Sequence, residues 1–300
     1  MSLKQKFKIY QELSKSGIVA LVLISVFAGY LVGQSPELPF DLKRMLVTLF
    51  GILFLASGSS ALNQLQEWRI DAQMPRTSTR PIPSGRISAQ EVALFVGVTL
   101  ILGLLLLAYL DLALFSLGVL AVLSYNGLYT LWWKKHWAFA AVPGAIPGAL
   151  PILMGHIAAS GRILSPSGIY LFFILFFWQM PHFWVLALRY QDDYKQGGFP
   201  TLPVKHGLGV TVHQIVIWCL CYLGLAFVGP FFLPVRWIYL IPTLVVSLQV
   251  MRSLLEYVKN PESLKWLHFF LWVNFSLIIF LGFAVADLWS IYLPIPHYTR

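Results

Sequence analysis

Residues 46–81 read LVTLFGILFLASGSSALNQLQEWRIDAQMPRTSTRP. Residues 46–62 carry no charge, whereas residues 63–81 hold Glu67, Asp71, Arg69, Arg76 and Arg80. An apolar helix therefore runs straight into a dense polar stretch. The chain of 300 residues is 58% hydrophobic and only 11% charged, where ordinary soluble domains carry about 25% charged residues. Apolar runs of about twenty residues, the length a helix needs to cross a bilayer, recur along it. The reading is an all-α polytopic membrane protein, and residues 46–81 are the inner end of one of its spans.

Nine spans are predicted, at about 17–34, 44–68, 90–110, 112–132, 138–159, 167–189, 210–229, 236–257 and 266–289. They form nine transmembrane helices around a central cavity, in a single domain over 1–300. Residues 1–16 are read as a tail, and 69–89 and 190–209 as the two loops that build the site. With the N-terminus cytoplasmic, sixteen of the 21 Lys and Arg lie on the cytoplasmic side. Lys43, Arg44, Arg162, Arg236 and Arg300 lie on the other, as the positive-inside rule requires. The net charge of +9 thus reports topology and predicts no nucleic-acid partner, since the basic residues are spread over separate segments. No cleavable leader and no Arg/Ser-rich presequence is visible, so the expected place is a bacterial inner membrane with the site facing the cytoplasm. Cys219 and Cys221 fall in an apolar run on different helix faces and read as apolar residues. Trp132, Trp237 and Trp289 near span ends read as interfacial anchors.

Asn63, Glu67 and Asp71 stand at i, i+4 and i+8, which puts three oxygen donors on one helix face. Arg76 and Arg80 come within the next ten residues. Hard cations such as Mg²⁺ take oxygen ligands and share them with substrate phosphates, and guanidinium forks match phosphate geometry. A solvated polar helix end is the plain alternative, and it explains a lone carboxylate better than an aligned set. The loop RYQDDYKQGGFPTLPVKHG (189–207) adds Asp192, Asp193 and Lys195, with Arg189 and Tyr190 before them. Neighbouring aspartates cannot share a helical face, so one of Asp192 and Asp193 points at the site. Two acidic clusters from two spans can clamp one diphosphate through metal ions. His182 comes after Pro181 inside the sixth span, and an intramembrane His is a candidate functional group. His156, His206, His213 and His268 have weaker claims, and Lys134 and Lys135 read first as topology determinants.

The pattern Asn-x-x-x-Glu-x-x-x-Asp with MPRTSTRPIPSG after it resembles the first acidic motif of the UbiA-type intramembrane prenyltransferase superfamily. Three further stretches, YNGLYTLWWKKHW (125–137), GAIPGALPILMGH (144–156) and WQMPHFWVLALRYQDDYKQGGFPTLPVKHG (178–207), are similar to the protohaem IX farnesyltransferase branch. The likeness covers about residues 15–285. It implies transfer of farnesyl from farnesyl diphosphate to a vinyl group of haem B, with addition of water, giving haem O and diphosphate. It implies metal and diphosphate roles for Asn63, Glu67, Asp71 and Asp193, with Asp192 as the adjacent metal candidate and Mg²⁺ as the cofactor. Arg76, Arg80, Lys195 and Lys134 become the diphosphate-binding candidates, and His182, Gln179 and Tyr190 the haem-side candidates. The implied partners are farnesyl diphosphate, haem B and the lipid bilayer, with a downstream haem A synthase as a further candidate. Two positions depart from the superfamily pattern. Gly197 stands four residues after Asp193, where relatives place a second acid, and Pro143-Gly144 replaces a Gly-Gly pair. In the implied mechanism the allylic C–O bond ionises, the vinyl carbon captures the cation, and water then captures the haem-side cation. Tyr125 and Tyr129 are candidates to stabilise positive charge through their ring faces. The same fold acting on another aromatic or tetrapyrrole acceptor is the nearest alternative. A transporter or haem carrier is a remote one, because coupling-ion sites sit near the midplane and these acids sit at span ends.

Overall fold

The computed structural model describes residues 2–35, 37–261 and 265–290; Arg300, one of the five basic residues assigned to the outer side, lies outside them. Within the described residues all regular structure is helical, and nine helices are long and apolar enough to cross a membrane. In chain order the elements are α1 (Leu3–Leu13), α2 (Ser16–Gly33), α3 (Leu42–Asp71), α4 (Ala89–Leu110) and α5 (Leu112–Val122). A π-helical stretch, Leu123–Trp133, continues α5 into the single turn α6 (Lys134–His136). Then come α7 (Ala141–Ser160), α8 (Pro166–Arg189), α9 (Gln191–Gln196), α10 (Leu202–Phe227), α11 (Trp237–Lys259) and α12 (Lys265–Ser290). The spans are α2, α3, α4, Leu112–His136, α7, α8, α10, α11 and α12.

Side chains at the ends set where helices begin and stop. Ser88 and Glu91 close a reciprocal capping box at α4, and Asp111 both ends α4 and caps α5 through the Ala113 N–H at 2.7 Å. Asp287 is a buried acid with a structural purpose. Its Oδ2 accepts the Arg236 N–H at 2.5 Å and the Tyr239 N–H at 2.9 Å, which satisfies the start of α11.

Lipid offers no hydrophobic force between helices, so close packing by small residues joins them. Gly29 and Gly33 of α2 face the Ile152 and His156 carbonyls of α7, while Gly155 of α7 faces the Val26 carbonyl of α2. A Cβ at any of the three would run into backbone. On the other side, α8, α10, α11 and α12 pack through large rings, among them Trp184, Tyr222, Tyr239, Tyr257, Phe269 and Phe280.

Three boundaries differ from the sequence reading. The second span continues to Asp71, because the Thr77 hydroxyl donates to the Asp71 carbonyl at 2.9 Å and so satisfies one of its last carbonyls. Within the segment 1–16, Ser2 and Gln5 form a capping box that starts α1. The loop 190–209 holds α9 and the first turn of α10, which starts at Leu202 and breaks at Gly207. Gly207 has φ 77°, a conformation open to glycine and strained in other residues, so helix 202–206 turns there into the span proper.

Candidate active site

Asn63, Glu67 and Asp71 lie on one face of α3 and are 4%, 2% and 1% exposed. Buried carboxylates require cations, and each polar group on this stripe has one. Lys134 Nζ donates to both Glu67 oxygens at 2.8 Å. Arg80 Nη1 donates to Asp71 Oδ2 at 2.6 Å. Lys15 Nζ donates to Asn63 Oδ1 at 3.0 Å. The Asn63 amide then donates to Glu67 Oε2 at 3.1 Å and to the Thr130 hydroxyl at 3.3 Å. Asp71 Oδ1 is buried with no partner.

Two local features hold the cations there. The π-helical stretch brings Thr130 and Lys134 onto the face that looks at α3; the Thr130 hydroxyl donates to the Tyr125 carbonyl, five residues back, at 2.8 Å. Lys15 links α1 to α2 in a left-handed conformation, φ 49° and ψ 53°, which few non-glycine residues adopt. Gln64 of α3 fixes the end of α1, donating to the Glu12 and Leu13 carbonyls at 3.0 Å each. Burial, with Arg80 and Lys134 close by, pushes the Lys15 ammonium down to about 7.

These groups line a cavity of about 620 Å³, together with Arg76, Tyr125, Tyr129, Gln179 and Tyr194. Its walls come from α2, α3, the Leu112–His136 span, α7 and α8, so five of the nine spans surround it and the other four buttress them. A second cavity of about 220 Å³ shares Lys15, Tyr125, Gly144 and Gln179 with the first and is otherwise mainly apolar. Tyr125, common to both, stacks at 5.9 Å and 12° on Tyr129 of the first. A charged chamber thus opens into a greasy one.

The predicted residues are sorted by this geometry. Asn63, Glu67, Asp71, Arg76, Arg80, Lys134 and Gln179 line the polar cavity. Asp193 is tied to it through Arg76, whose Nε lies 3.5 Å from Asp193 Oδ2. The Arg76 guanidinium also covers the Tyr190 and Tyr194 rings at 4.9 and 5.9 Å. Asp192 and Lys195 are exposed and off the cavity wall. His182 is off it too. Its Nδ1 lies 3.0 Å from the Asn274 side-chain oxygen, and its ring sits 4.8 Å from both Trp178 and Phe270. Lys15, Thr130 and Tyr194 are site residues that the sequence reading passes over; a lysine just before a first span reads there as a topology signal alone.

Among the described residues no three His, Cys, Asp or Glu side chains gather into a ready metal cluster. The donors on α3 nonetheless suit a hard divalent cation. They are an amide and two carboxylates, all oxygen donors, and Asp71 Oδ1 is an orphan in the cavity wall. Protein cations neutralise the rest of the stripe.

Known proteins resemble this chain over most of its length. Residues 22–291 match the model of the UbiA prenyltransferase family. A protoheme IX farnesyltransferase of Bdellovibrio bacteriovorus is 46% identical over 283 residues, 94% of this chain and 97% of that one. A protein of the same name from Aquifex aeolicus is 36% identical over 285 residues, 94% and 95% of the two chains. Among solved structures, one from a study of digeranylgeranylglyceryl phosphate synthase superposes with a TM-score of 0.77 at 20% identity, covering 95% of this chain and 99% of that one. A UbiA homolog from Archaeoglobus fulgidus bound to DMAPP and Mg²⁺ gives 0.66 at 16% identity, covering 93% and 98%. At such identities the structural likeness speaks for the fold.

Proposed function

The chain belongs to the UbiA prenyltransferase family, and from that premise we propose that it transfers farnesyl from farnesyl diphosphate to a vinyl group of haem B, with addition of water, to give haem O. The observation that carries this reading is the buried stripe Asn63, Glu67 and Asp71, faced by Lys15, Arg80 and Lys134, at the mouth of an apolar chamber. A diphosphate head and an isoprenoid tail call for those two environments side by side. The haem acceptor is supported by the relatives that carry the farnesyltransferase name at 46% and 36% identity over nearly full length.

The residues divide the work. Arg76, Arg80 and Lys134 exchange carboxylate oxygens, and Lys15 the Asn63 amide oxygen, for phosphate oxygens when the diphosphate enters, and they stabilise its charge as the allylic C–O bond breaks. A divalent cation, Mg²⁺ in this reading, would be held by Asn63, Glu67 and Asp71 with Asp193 on the facing loop, and it supplies further neutralisation of the leaving group. Tyr125 and Tyr129, stacked on each other in the wall of the polar cavity, would stabilise the allylic cation through a ring face. Apolar walls beyond them keep water from that cation. The haem vinyl carbon then bonds to the allylic carbon, and water adds to the resulting haem-side cation, releasing one proton. Gln179 lines both cavities, which supports a contact with the acceptor. The Lys and Arg bias supports a cytoplasmic-facing site, in a bacterial inner membrane in this reading.

The test is reconstitution. The purified chain in lipid nanodiscs receives haem B, farnesyl diphosphate and Mg²⁺, and the haems are extracted and weighed. The proposal requires a haem carrying farnesyl plus water, with diphosphate released in equal amount. Haem B recovered unchanged from a well-folded preparation refutes it.

A further inference from the structure

The apolar chamber has a direction and an end. On each of four helices the wall residues step from the polar mouth inward. On α7 they run from Gly144 through Pro147 and Pro151 to Met154, and on α3 from Ser60 through Ala56 to Ile52. On α2 they run from Ile18 to Val22, and on the Leu112–His136 span from Tyr125 to Ala121. At 1.5 Å per residue, Gly144 to Met154 spans about 15 Å and Ser60 to Ile52 about 12 Å. Met154 and Ile52 are 1% and 2% exposed and belong to one packed cluster with Val26 and Ile157. Their close-packed side chains form the part of the chamber wall farthest from the polar mouth.

We propose that Met154 and Ile52 form a floor that limits the prenyl chain this protein accepts, and that Ala56, midway along the wall, keeps the passage wide enough for the chain to reach it. The inference rests on the prenyl-diphosphate reading of the site and names the residues that set chain length within it. A chain one isoprene unit too long meets close-packed side chains; a shorter one leaves part of the chamber unfilled. Discrimination of this kind in an apolar pocket is worth roughly 10–200-fold for a single methylene, so a whole isoprene unit gives at least about tenfold.

Geranyl, farnesyl and geranylgeranyl diphosphates are compared in competition with Met154→Ala and Ala56→Leu, and binding of their thiolodiphosphate analogues is measured separately. Met154→Ala is expected to shift preference at least about tenfold from farnesyl toward geranylgeranyl. Ala56→Leu is expected to shift it by a similar factor toward geranyl. If Met154→Ala does not fold, Ala56→Leu carries the test alone. Length preference unchanged in the folded variants overturns the floor. A wild-type chain that leaves haem unmodified while analogue binding tracks these shifts sinks only the acceptor and keeps the floor.

Discussion

Lys134→Met is the most informative single change at the site. Lys134 Nζ lies 2.8 Å from both oxygens of Glu67, which is 2% exposed. At that distance two unit charges attract by about 6 kcal/mol at an effective dielectric of about 20, before the desolvation of each ion is counted. The net value of such a pair is small, yet removing one partner strands a buried carboxylate, at a cost of about 3–5 kcal/mol. Lys134→Met is thus expected to destabilise by about 3–5 kcal/mol. Lys134→Met combined with Glu67→Gln should return to within about 1 kcal/mol of wild type, because no lone charge remains. Reversible unfolding in mixed micelles measures both. The catalytic readout goes the other way, with prenyl transfer lost in the single and the double variant alike. A single variant costing under about 1 kcal/mol, or a double variant as unstable as the single, would refute the pairing argument.

The same structure sets other outcomes. Asp287→Ala leaves the Arg236 and Tyr239 N–H groups without their acceptor, and thermal unfolding should show a loss of about 2–4 kcal/mol with kcat unchanged at permissive temperature. Gly155→Val drives a side chain into the Val26 carbonyl; it should cost more than about 3 kcal/mol or prevent accumulation, as read by fluorescence-detected size exclusion. The Glu12 carboxyl is held below its usual range first by its hydrogen bond to Arg86. A depressed acid stabilises above its unfolded pKa and loses that contribution as pH falls through the folded one. Glu12→Gln should therefore cost under about 1 kcal/mol at pH 7, the pair being partly exposed, and progressively less as pH falls through the folded carboxyl's range. Asp71→Asn should weaken Mg²⁺-dependent binding of a thiolodiphosphate analogue at least tenfold while leaving apolar-tail binding without metal intact.

Most of the membrane architecture is legible in the sequence because an apolar run of about twenty residues has few other uses. The acidic stripe is legible for a similar reason: Asn63, Glu67 and Asp71 keep helical spacing, so their common face comes from the helix itself. The features that escape a sequence reading depend on contacts between distant segments. Lys15 reaches Asn63 across 48 residues of sequence because of one left-handed backbone junction. The π-helical run Leu123–Trp133 has no compositional mark, yet it aims Tyr125, Tyr129 and Lys134 at the site. The start of α10 at Leu202 escapes because Gly207 interrupts the helix, and the continuous apolar run begins only beyond that glycine. His182 shows the converse limit. Its place inside a span is plain, but spacing does not say which neighbour a helix face meets, and here it meets Asn274 of α12.

The most direct test of the central claim, that the α3 stripe and its cations carry out prenyl transfer to haem, is the mass of the haem made in a cell. The chain is expressed in a host that lacks haem O, and the extracted haems are weighed beside those from a strain expressing Asp71→Ala at equal level. The wild-type chain is expected to yield a farnesylated, hydrated haem, and Asp71→Ala haem B alone. Haem B alone in both strains, with the wild-type protein abundant in the membrane, would contradict it, as would full conversion by Asp71→Ala.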